Sequence, residues 1–273
     1  MCVSSKGTAP SNECYIYTQL VRRTNSWSPC VVEWFGHCII DVSFSHLGHI
    51  TTATLLEKMD TSLLNYLRHR KRISYKEISN QMRDIMQGCG WLHEHSILHG
   101  DIKPSNILCT ASGTNLKLCD LGNAVDLRLN NSSDLFYVSP HYVCSVPYRA
   151  FELMRAPAGY RYGEKVDVWS TGIVLYELLH IKPMFWDMSI DEIWSQCKSG
   201  IHIQRMETDL RYTAFTEEEK NKIVRLFSHM ADTCITTRFT AKMCCEDEML
   251  INKSTVVMTR DEKMNIFLSQ MGF

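Results

Sequence analysis

The chain has 273 residues and 45% apolar content, which is enough for one large domain or two small lobes and excludes a disordered chain. Its formal net charge of −1 argues against a nucleic-acid scaffold, because such proteins carry an excess of basic residues, and we expect no nucleic-acid partner. The N-terminus lacks the apolar core of a signal peptide and no apolar run is as long as a membrane span, so we expect no membrane partner.

The twelve cysteines are compatible with a disulfide framework or with reduced thiols. Disulfide frameworks are typical of small secreted scaffolds, and this chain is far larger. No C-x-x-C pair occurs, and Cys109 and Cys119 lie in segments with the pattern of buried strands, where a free cysteine behaves as a small hydrophobic residue. We therefore predict reduced thiols and a location in the cytoplasm or the nucleus.

The N-terminal elements are a helix and a pair of strands. The Pro-Ser-Asn sequence at 10–12 is a helix start signal, and it predicts a helix over residues 13–21. Two β-rich runs follow at 37–44 and 49–56. The short sequence at 45–48 separates them, so the pattern predicts an antiparallel hairpin.

A mainly helical region begins near Thr61. A long helix is predicted over residues 75–95, because apolar residues recur every three or four positions along it. The basic run at 68–72 has two interpretations, a contact patch for a partner or a solvated helix end whose cations lie near the C-terminal dipole. We favour the solvated helix end.

The second half of the chain alternates short strands, a long loop and helices. An apolar run at 116–119 predicts a short strand that ends at Asp120, and a polar loop follows it up to Glu152. Further helices are predicted by sequence pattern, and their ranges are 167–179, 190–199, 216–231 and 241–252. The tail at 259–273 is either an amphipathic helix that docks on the preceding helices or a peptide that binds a partner.

The chemistry of the chain is concentrated in the sequence LHGDIKPSNIL at residues 98–108. Asp101 offers an anionic acceptor, Lys103 a cation and Asn106 an oxygen ligand, all in one short loop. Together they could handle a hydroxyl proton, a phosphate and a metal ion, which is what phosphoryl transfer requires. A polar loop of this composition is also compatible with a solvated turn.

This loop resembles the catalytic loop of protein kinases, H-R-D-L-x-x-x-N, with His99, Asp101 and Asn106 in register and Gly100 in place of arginine. The tripeptide at 120–122, Asp-Leu-Gly, resembles the D-F-G motif of the same family.

Three further motifs follow in the order that the family has. Residues 148–152, YRAFE, resemble the segment that ends in A-P-E, and the DVWSTG sequence at 167–172 resembles the helix whose aspartate ties down the catalytic loop. Arg238, within the helical pattern that begins near Glu219, matches the arginine that pairs with Glu152. Ordered motifs are stronger evidence than one pattern, so the chain is identified as a member of the eukaryotic-type protein kinase superfamily.

The resemblance implies an α+β, protein-kinase-like two-lobe fold with a mainly helical C-lobe and a truncated β N-lobe. The implied domains are a reduced N-lobe of a helix and a hairpin at 1–58, which runs up to the hinge, the kinase C-lobe at 59–252 and a C-terminal tail at 253–273.

The resemblance also implies catalytic roles for four residues. Asp101 accepts the proton of the substrate hydroxyl, Lys103 steadies the moving phosphoryl group, Asn106 contributes to the metal site, and Ser145 bridges the aspartate and the lysine. A K-P-x-N sequence after the aspartate resembles serine/threonine rather than tyrosine specificity. Sequence details between the A-P-E match and residue 185 look closest to the cyclin-dependent kinases and their relatives.

The implied cofactors are ATP and Mg²⁺. Leu56 resembles the gatekeeper residue, and the nucleotide-binding residues implied by the motifs are Glu57, Met59, Leu108 and Asp120. Asn106 and Asp120 are the implied ligands of Mg²⁺. Met59, which resembles the residue that hydrogen-bonds the adenine, is equally compatible with a plain packing residue at a strand end.

The N-terminal lobe departs from the family pattern. The family begins with a G-x-G-x-x-G loop and a strand lysine, whereas Gly7 alone precedes Gly36 here and Lys6 is only seven residues before Glu13. We expect the first three strands to be absent, Lys6 and Glu13 to be a poor ion pair, and Gln19 to lie near the helix position where the family has its glutamate. The glycine at position 100 predicts that control by loop phosphorylation is weakened.

Two hypotheses of different classes follow. The first is a serine/threonine kinase that transfers the γ-phosphate of ATP to intracellular protein substrates. The second is a pseudokinase-type binding or scaffold protein that engages a partner kinase or a regulator without transfer. A truncated chain with strands upstream of Met1 is a third interpretation, and the divergent motifs suggest a large DNA virus as the source, which would place the protein in the host cell.

Overall fold

The computed structural model of the chain describes residues 2–4, 11–38, 52–129, 136–137, 144–157 and 160–251, and every structural statement below concerns these residues. The helices within this part of the chain are α1 (Asn12–Arg23), α2 (Leu63–Arg68), α3 (Tyr75–Glu94), α4 (Phe151–Met154), α5 (Lys165–His180), α6 (Ile190–Lys198), α7 (Ile201–Leu210), α8 (Glu217–Met230) and α9 (Ala241–Cys245).

The strands are short. Their bounds are β1 (Cys2–Ser4), β2 (Trp34–Cys38), β3 (Thr52–Leu56), β4 (Thr61–Ser62), β5 (Ile97–Leu98), β6 (Ile107–Cys109), β7 (Lys117–Leu118), β8 (Val125–Asp126), β9 (Phe136–Tyr137) and β10 (Arg161–Tyr162). They form small antiparallel sheets, ordered β1-β3-β2, β4-β6-β7, β5-β8 and β10-β9. The first sheet and α1 form the N-terminal part of the molecule, and in the mainly helical part that follows α3 and α8 pack directly on α5. The α+β architecture with a mainly helical C-lobe is confirmed.

Helix α1 forms where the start signal predicts it. Ser11 is the N-cap, and its side chain accepts a hydrogen bond from the backbone N–H of Cys14. The helix buries Ile16 and Leu20 against the core, and Arg23 lies in its last turn. It is longer than the predicted range of 13–21 by two residues at its C-terminal end, since a basic last turn is stabilised by the helix dipole.

The predicted hairpin strands are paired as expected. β2 and β3 run antiparallel, with Trp34 opposite Leu56. β2 begins three residues before the predicted range of 37–44, and a register shift lies at Trp34–Gly36. The predicted turn at 45–48 lies outside the described residues.

One expectation about the N-lobe is wrong. A strand does precede α1, because Cys2–Ser4 pairs antiparallel with β3, with Cys2 opposite Thr54 and Ser4 opposite Thr52. Strand β3 is therefore paired on both sides, which satisfies backbone groups that an edge strand would leave open. Three residues are too few for a sequence pattern to identify as a strand. Lys6 lies outside the described residues.

The C-lobe is built on α3 and α5. Helix α3 matches its predicted range to one residue, is capped by Ser74 and faces the core with its apolar stripe. Helix α5 is buried along nearly its whole length. It packs closely on α8, where a Cβ added to Gly172 would lie 3.0 Å from the Cβ of Met230.

The C-lobe also differs from expectation in three places. Helix α7 was not predicted, because its only fully buried side chains are His202, Met206 and Leu210 and most of its other residues are polar. Helix α9 ends at Cys245 rather than at 252, and Asp247 then accepts the backbone N–H of Met249 in a turn. Arg238 lies after α8 and not within it.

Among the described helices, none combines the length and the apolar composition needed to span a bilayer.

A buried ion pair connects the segment after α8 to α4. Both Nη atoms of Arg238 donate to the carboxylate of Glu152, each at 2.8 Å, and Arg238 Nε donates to the Asp232 carbonyl. The guanidinium is fully buried and the carboxylate is 6% exposed. This is the pairing that the motif order predicted for Glu152 and Arg238.

We expect Arg238→Met to lower the free energy of unfolding by about 3–5 kcal/mol, because it leaves the carboxylate of Glu152 buried without its cation. Urea denaturation measures this change. The matched control is Arg68→Met on the exposed end of α2, where the expected change is within about 0.5 kcal/mol. A loss at Arg238 as small as that at Arg68 would contradict the structural role of the pair.

Ten cysteines have side chains that the structure describes, and none of these ten forms a disulfide with another. Burial raises the pKa of the Cys109 thiol to about 11 and that of Cys144 to about 12. Cys234 is the exception. It is exposed, and hydrogen bonds from Thr236 and Thr237 lower its pKa to about 7.

Among these ten cysteines we expect Cys234 to react first with iodoacetamide at neutral pH, since the thiolate is the nucleophile. Peptide mapping after short exposure measures the order of modification. Cys234→Ser should remove the fastest modified site without changing the modification of Cys109. Faster modification of Cys109 or Cys144 would contradict the expected order.

Candidate active site

The catalytic loop is held in place by one carboxylate from α5. Asp167 accepts the backbone N–H of His99 at 2.8 Å and that of Gly100 at 2.9 Å, and His93 Nε2 donates to it at 2.9 Å. Burial alone would raise the pKa of Asp167, but the hydrogen bonds and nearby His93 and His99 outweigh it and lower the pKa. The carboxylate therefore remains an acceptor for the loop.

The glycine that replaces the family's arginine has a structural reason here. Gly100 has φ +77°, a left-handed conformation that disfavours side chains. A Cβ at this position would also lie 2.8 Å from the carbonyl oxygen of Asn123. The loop and the segment after Asp120 approach each other this closely because position 100 has no side chain.

Asp101, Lys103 and Ser145 meet in one hydrogen-bonded cluster, as the motif match predicted. Lys103 Nζ donates to Asp101 Oδ2 at 2.7 Å and to Ser145 Oγ at 2.8 Å. The backbone N–H of Ser145 donates to Asp101 Oδ1 at 3.1 Å. Burial raises the pKa of Asp101, but Lys103 and Ser145 together lower it below its ordinary value, so the carboxylate is ionised at neutral pH.

Asn106 is buried beside this cluster. Its Nδ2 donates to the carbonyl of Asp101 at 3.0 Å and lies 3.2 Å from Asp101 Oδ2. With its nitrogen turned toward Asp101, the amide presents its oxygen on the other side, where Ser105 Oγ lies at 3.3 Å. The oxygen is the atom that a metal ion would use.

Asp120 is presented to the cleft in the left-handed conformation, with φ 64° and ψ 73°. Its side chain is exposed and accepts the backbone N–H of Gly122 at 3.3 Å. Strand β7 delivers it, and Leu118 is fixed by a hydrogen bond from its N–H to the Cys30 carbonyl at 2.9 Å. Carboxylate and amide oxygens are the ligands that Mg²⁺ prefers, so Asp120 and Asn106 fit this ion.

The three other predicted nucleotide residues line the strands around the hinge. Leu108 is half-buried between the fully buried Ile107 and Cys109, so it faces the opposite side of β6. Met59 is half-buried just before β4. Glu57 follows β3, and its carboxylate accepts two hydrogen bonds from Lys117 Nζ, at 2.6 and 2.7 Å.

The sequence analysis missed Lys117. Its side chain is 9% exposed, and its pair with Glu57 connects the hinge to the strand that precedes Asp120. The sequence did not indicate an ion pair at this position. Lys117 lies between Leu116 and Leu118, and the whole run has the pattern of a buried strand.

The structure places two residues of α1 that the sequence analysis compared. Burial raises the pKa of Glu13, and the negative charge of nearby Asp120 raises it further. Gln19 lies one turn before Arg23, whose Nη2 donates to Gln19 Oε1 at 3.5 Å. That Gln19 occupies the helix position of the family's glutamate stays a prediction.

Asn123 is a further residue that sequence reasoning did not single out. Its Nδ2 lies 3.5 Å from Asp101 Oδ2, at the limit of a hydrogen bond. Direct contacts thus bring together the predicted site residues Asp101, Lys103, Asn106 and Ser145. Asp120 follows β7, and its neighbour Cys119 donates its backbone N–H to the Asn106 carbonyl at 3.0 Å.

A family model described as "Protein kinase domain" matches residues 37–250, which is more than half of the chain. The chain belongs to the protein kinase family. The resemblance carried by the motifs is confirmed, together with the kinase-like fold.

Individual relatives are protein kinases as well. The kinase domain is 32% identical over 148 residues to the probable serine/threonine-protein kinase MRK1 homolog of Encephalitozoon cuniculi, covering 53% of this chain and 44% of the relative. It is 37% identical over 145 residues to the serine/threonine-protein kinase RIM11/MSD1 of Saccharomyces cerevisiae, covering 51% and 37%. It is 30% identical over 193 residues to mitogen-activated protein kinase 3 of Arabidopsis thaliana, covering 64% and 47%. The chain thus spans less than half the length of these curated relatives.

We expect Asp167→Ala in this kinase domain to lower the free energy of unfolding by about 2–5 kcal/mol, since each buried donor left without an acceptor costs about 1–3 kcal/mol. Urea denaturation measures the loss, and Glu207→Ala on the exposed face of α7 is the control, expected to change stability by less than about 0.5 kcal/mol. Equal stability of the two variants would show that the catalytic loop does not depend on Asp167.

Proposed function

We propose that this protein is a serine/threonine kinase that transfers the γ-phosphate of ATP to hydroxyl groups of protein substrates. The observation that carries the proposal is the cluster of Asp101, Lys103 and Ser145, in which an ionised carboxylate and an ammonium group are 2.7 Å apart at the cleft. The carboxylate can accept a proton and the ammonium can stabilise phosphate charge. The names of the relatives, which include serine/threonine-protein kinases, support this choice of substrate hydroxyl.

In the proposed mechanism Asp101 orients the substrate hydroxyl and accepts its proton as the oxygen attacks the γ-phosphorus. Lys103 stabilises the negative charge of the phosphoryl group while it moves between the two oxygens. Ser145 holds both side chains through its hydroxyl and its backbone N–H, so the two groups are positioned before the substrate arrives.

Magnesium would be held by Asn106 and Asp120. When bound there, the ion would supply positive charge that stabilises the phosphate groups. The amide of Asn106 is oriented by its hydrogen bond to the Asp101 carbonyl, and the carboxylate of Asp120 is exposed to the cleft. Glu13 adds a second carboxylate near Asp120, which increases the negative potential that attracts a cation.

The adenine would lie between the hinge and β6. Because Lys117 occupies the carboxylate of Glu57, we propose that Glu57 contributes through its backbone and that Met59 supplies the central backbone hydrogen bonds. Leu108 would pack on one face of the base from the open side of β6.

For the whole chain we propose an N-lobe at 1–58, a C-lobe at 59–252 and a tail at 253–273, of which 252–273 lie outside the described residues. We further propose intracellular protein substrates, a regulator or partner kinase, and a location in the cytoplasm or nucleus. A viral source stays a prediction.

The decisive experiment compares phosphoryl transfer from γ-labelled MgATP to a general protein substrate by wild type and by Asp101→Asn, purified identically. We expect the variant to lose about 10²–10⁴-fold in kcat, because proton transfer by a positioned side chain contributes about that much. Asp187→Asn, at an exposed position where φ is 57°, is the control and should retain wild-type transfer.

A pseudokinase-type binding protein is the alternative. Equal background transfer by wild type and Asp101→Asn, with both proteins folded by thermal denaturation, would overturn the kinase proposal and leave partner binding as the function.

A further inference from the structure

Helix α1 is bound at its C-terminal end to the segment that follows the Asp-Leu-Gly motif. Arg23 Nη1 donates to Asp126 Oδ1 at 2.9 Å, and Nη2 donates to Oδ2, so the pair is bidentate. Arg23 also donates to the carbonyl of His95 at 3.0 Å, and the Tyr15 hydroxyl donates to Asp126 Oδ2 at 3.2 Å. The carboxylate of Asp126 is fully buried and Arg23 is 12% exposed.

The N-terminal end of α1 is bound to the same segment. Asn12 Nδ2 donates to the carbonyls of Gly122 and Ala124, each at 2.9 Å. Glu13, the next residue, lies close enough to Asp120 for its charge to raise the pKa of Glu13. Both ends of the helix therefore contact the few residues that carry Asp120.

These contacts come from one face of the helix. Asn12, Tyr15 and Arg23 are separated by three and eight residues, a spacing that places them on the same side. Asp126, the partner of Tyr15 and Arg23, is itself fixed, because β8 pairs with β5 immediately ahead of the catalytic loop, with Ile97 opposite Asp126. We call Asn12, Tyr15, Arg23 and Asp126 the α1 latch.

We propose that the α1 latch positions helix α1 against the metal-binding segment by means of the chain's own residues, so that this geometry requires neither loop phosphorylation nor a bound partner. The proposal rests on the proposed kinase function. It agrees with the expectation from Gly100 that control by loop phosphorylation is weakened, because the cation that Arg23 brings to this segment already has the buried carboxylate of Asp126 as its partner.

Arg23, Tyr15 and Asp126 touch neither Asp101 nor Lys103 in the described contacts, so they are positioning residues. Loss of the latch should move Glu13 away from Asp120 and weaken nucleotide binding. It should leave the hydroxyl-activating cluster intact. The expected kinetic signature is a raised KM for MgATP with little change in kcat.

The test compares wild type, Arg23→Ala and Arg22→Ala, each measured before and after phosphatase treatment. Arg22 is the matched control, because it is an exposed arginine in the same helical turn. Hydrogen exchange of the α1 amides is measured without nucleotide, and KM and kcat are measured with MgATP. We expect Arg23→Ala to speed exchange and to raise KM by about tenfold or more, since a hydrogen bond to a charged group is worth about that factor.

Arg22→Ala should match wild type in both measurements, and Arg23→Lys, which keeps the charge but not the bidentate geometry, should restore part of the protection. Wild-type exchange that rises after phosphatase treatment, or α1 exchange that is the same in Arg23→Ala and Arg22→Ala, would overturn the proposal. A fall in kcat with unchanged KM would also overturn it, because that result indicates only a smaller folded fraction.

Tyr15→Phe replaces Arg23→Ala if the latter does not fold, because it removes a single hydrogen bond to Asp126. It should speed exchange of the α1 amides by a smaller factor. Unchanged exchange of these amides in Tyr15→Phe would overturn the latch. If wild type transfers no phosphate, the kinase proposal fails, whereas hydrogen exchange still decides whether the latch holds α1.

Discussion

The site depends on the hydrogen bonds that the catalytic loop donates to Asp167. Helix α5 is buried along nearly all of its length, so it gives Asp167 a rigid origin, and two consecutive amides of the loop are fixed to that carboxylate. Because His99 and Gly100 are held, Asp101 follows at a defined position beside Lys103. The position of Asp101 thus depends on Asp167, a residue outside the cluster of Asp101, Lys103 and Ser145.

The N-terminal part of the molecule reaches the same site by different means. Helix α1 has a buried apolar face that runs from Cys14 to Leu20, and polar contacts add to it at both ends. Those polar contacts converge on Asp126 and on the backbone around Gly122. The apolar face and the polar contacts together hold α1 beside the segment that follows Asp120.

Local sequence information was sufficient for much of this structure. The start signal at Ser11, the stripe of α3 and the short spacings within 98–108 depend on neighbours in the chain, and they were predicted well. What could not be predicted depends on contacts between distant residues. Asn12 meets the carbonyls of Gly122 and Ala124, and Lys117 meets Glu57, across separations that no local pattern records. Strand β1 was missed because three residues are too few to show an alternating pattern. Helix α7 was missed because only three of its side chains are buried, so its apolar periodicity is weak.

The Lys117–Glu57 pair and the contacts of Asn12 join the N-terminal elements to the rest of the molecule at two separate places. The pair lies beside the backbone hydrogen bond from Val32 to Leu118, so β7 is joined to residues that precede and follow the first sheet pair. Asn12 joins the start of α1 to the carbonyls of residues 122 and 124. Asp120 lies between these two places in the chain. The backbone on both sides of its carboxylate is therefore fixed to elements that precede residue 58, and not only to the C-lobe.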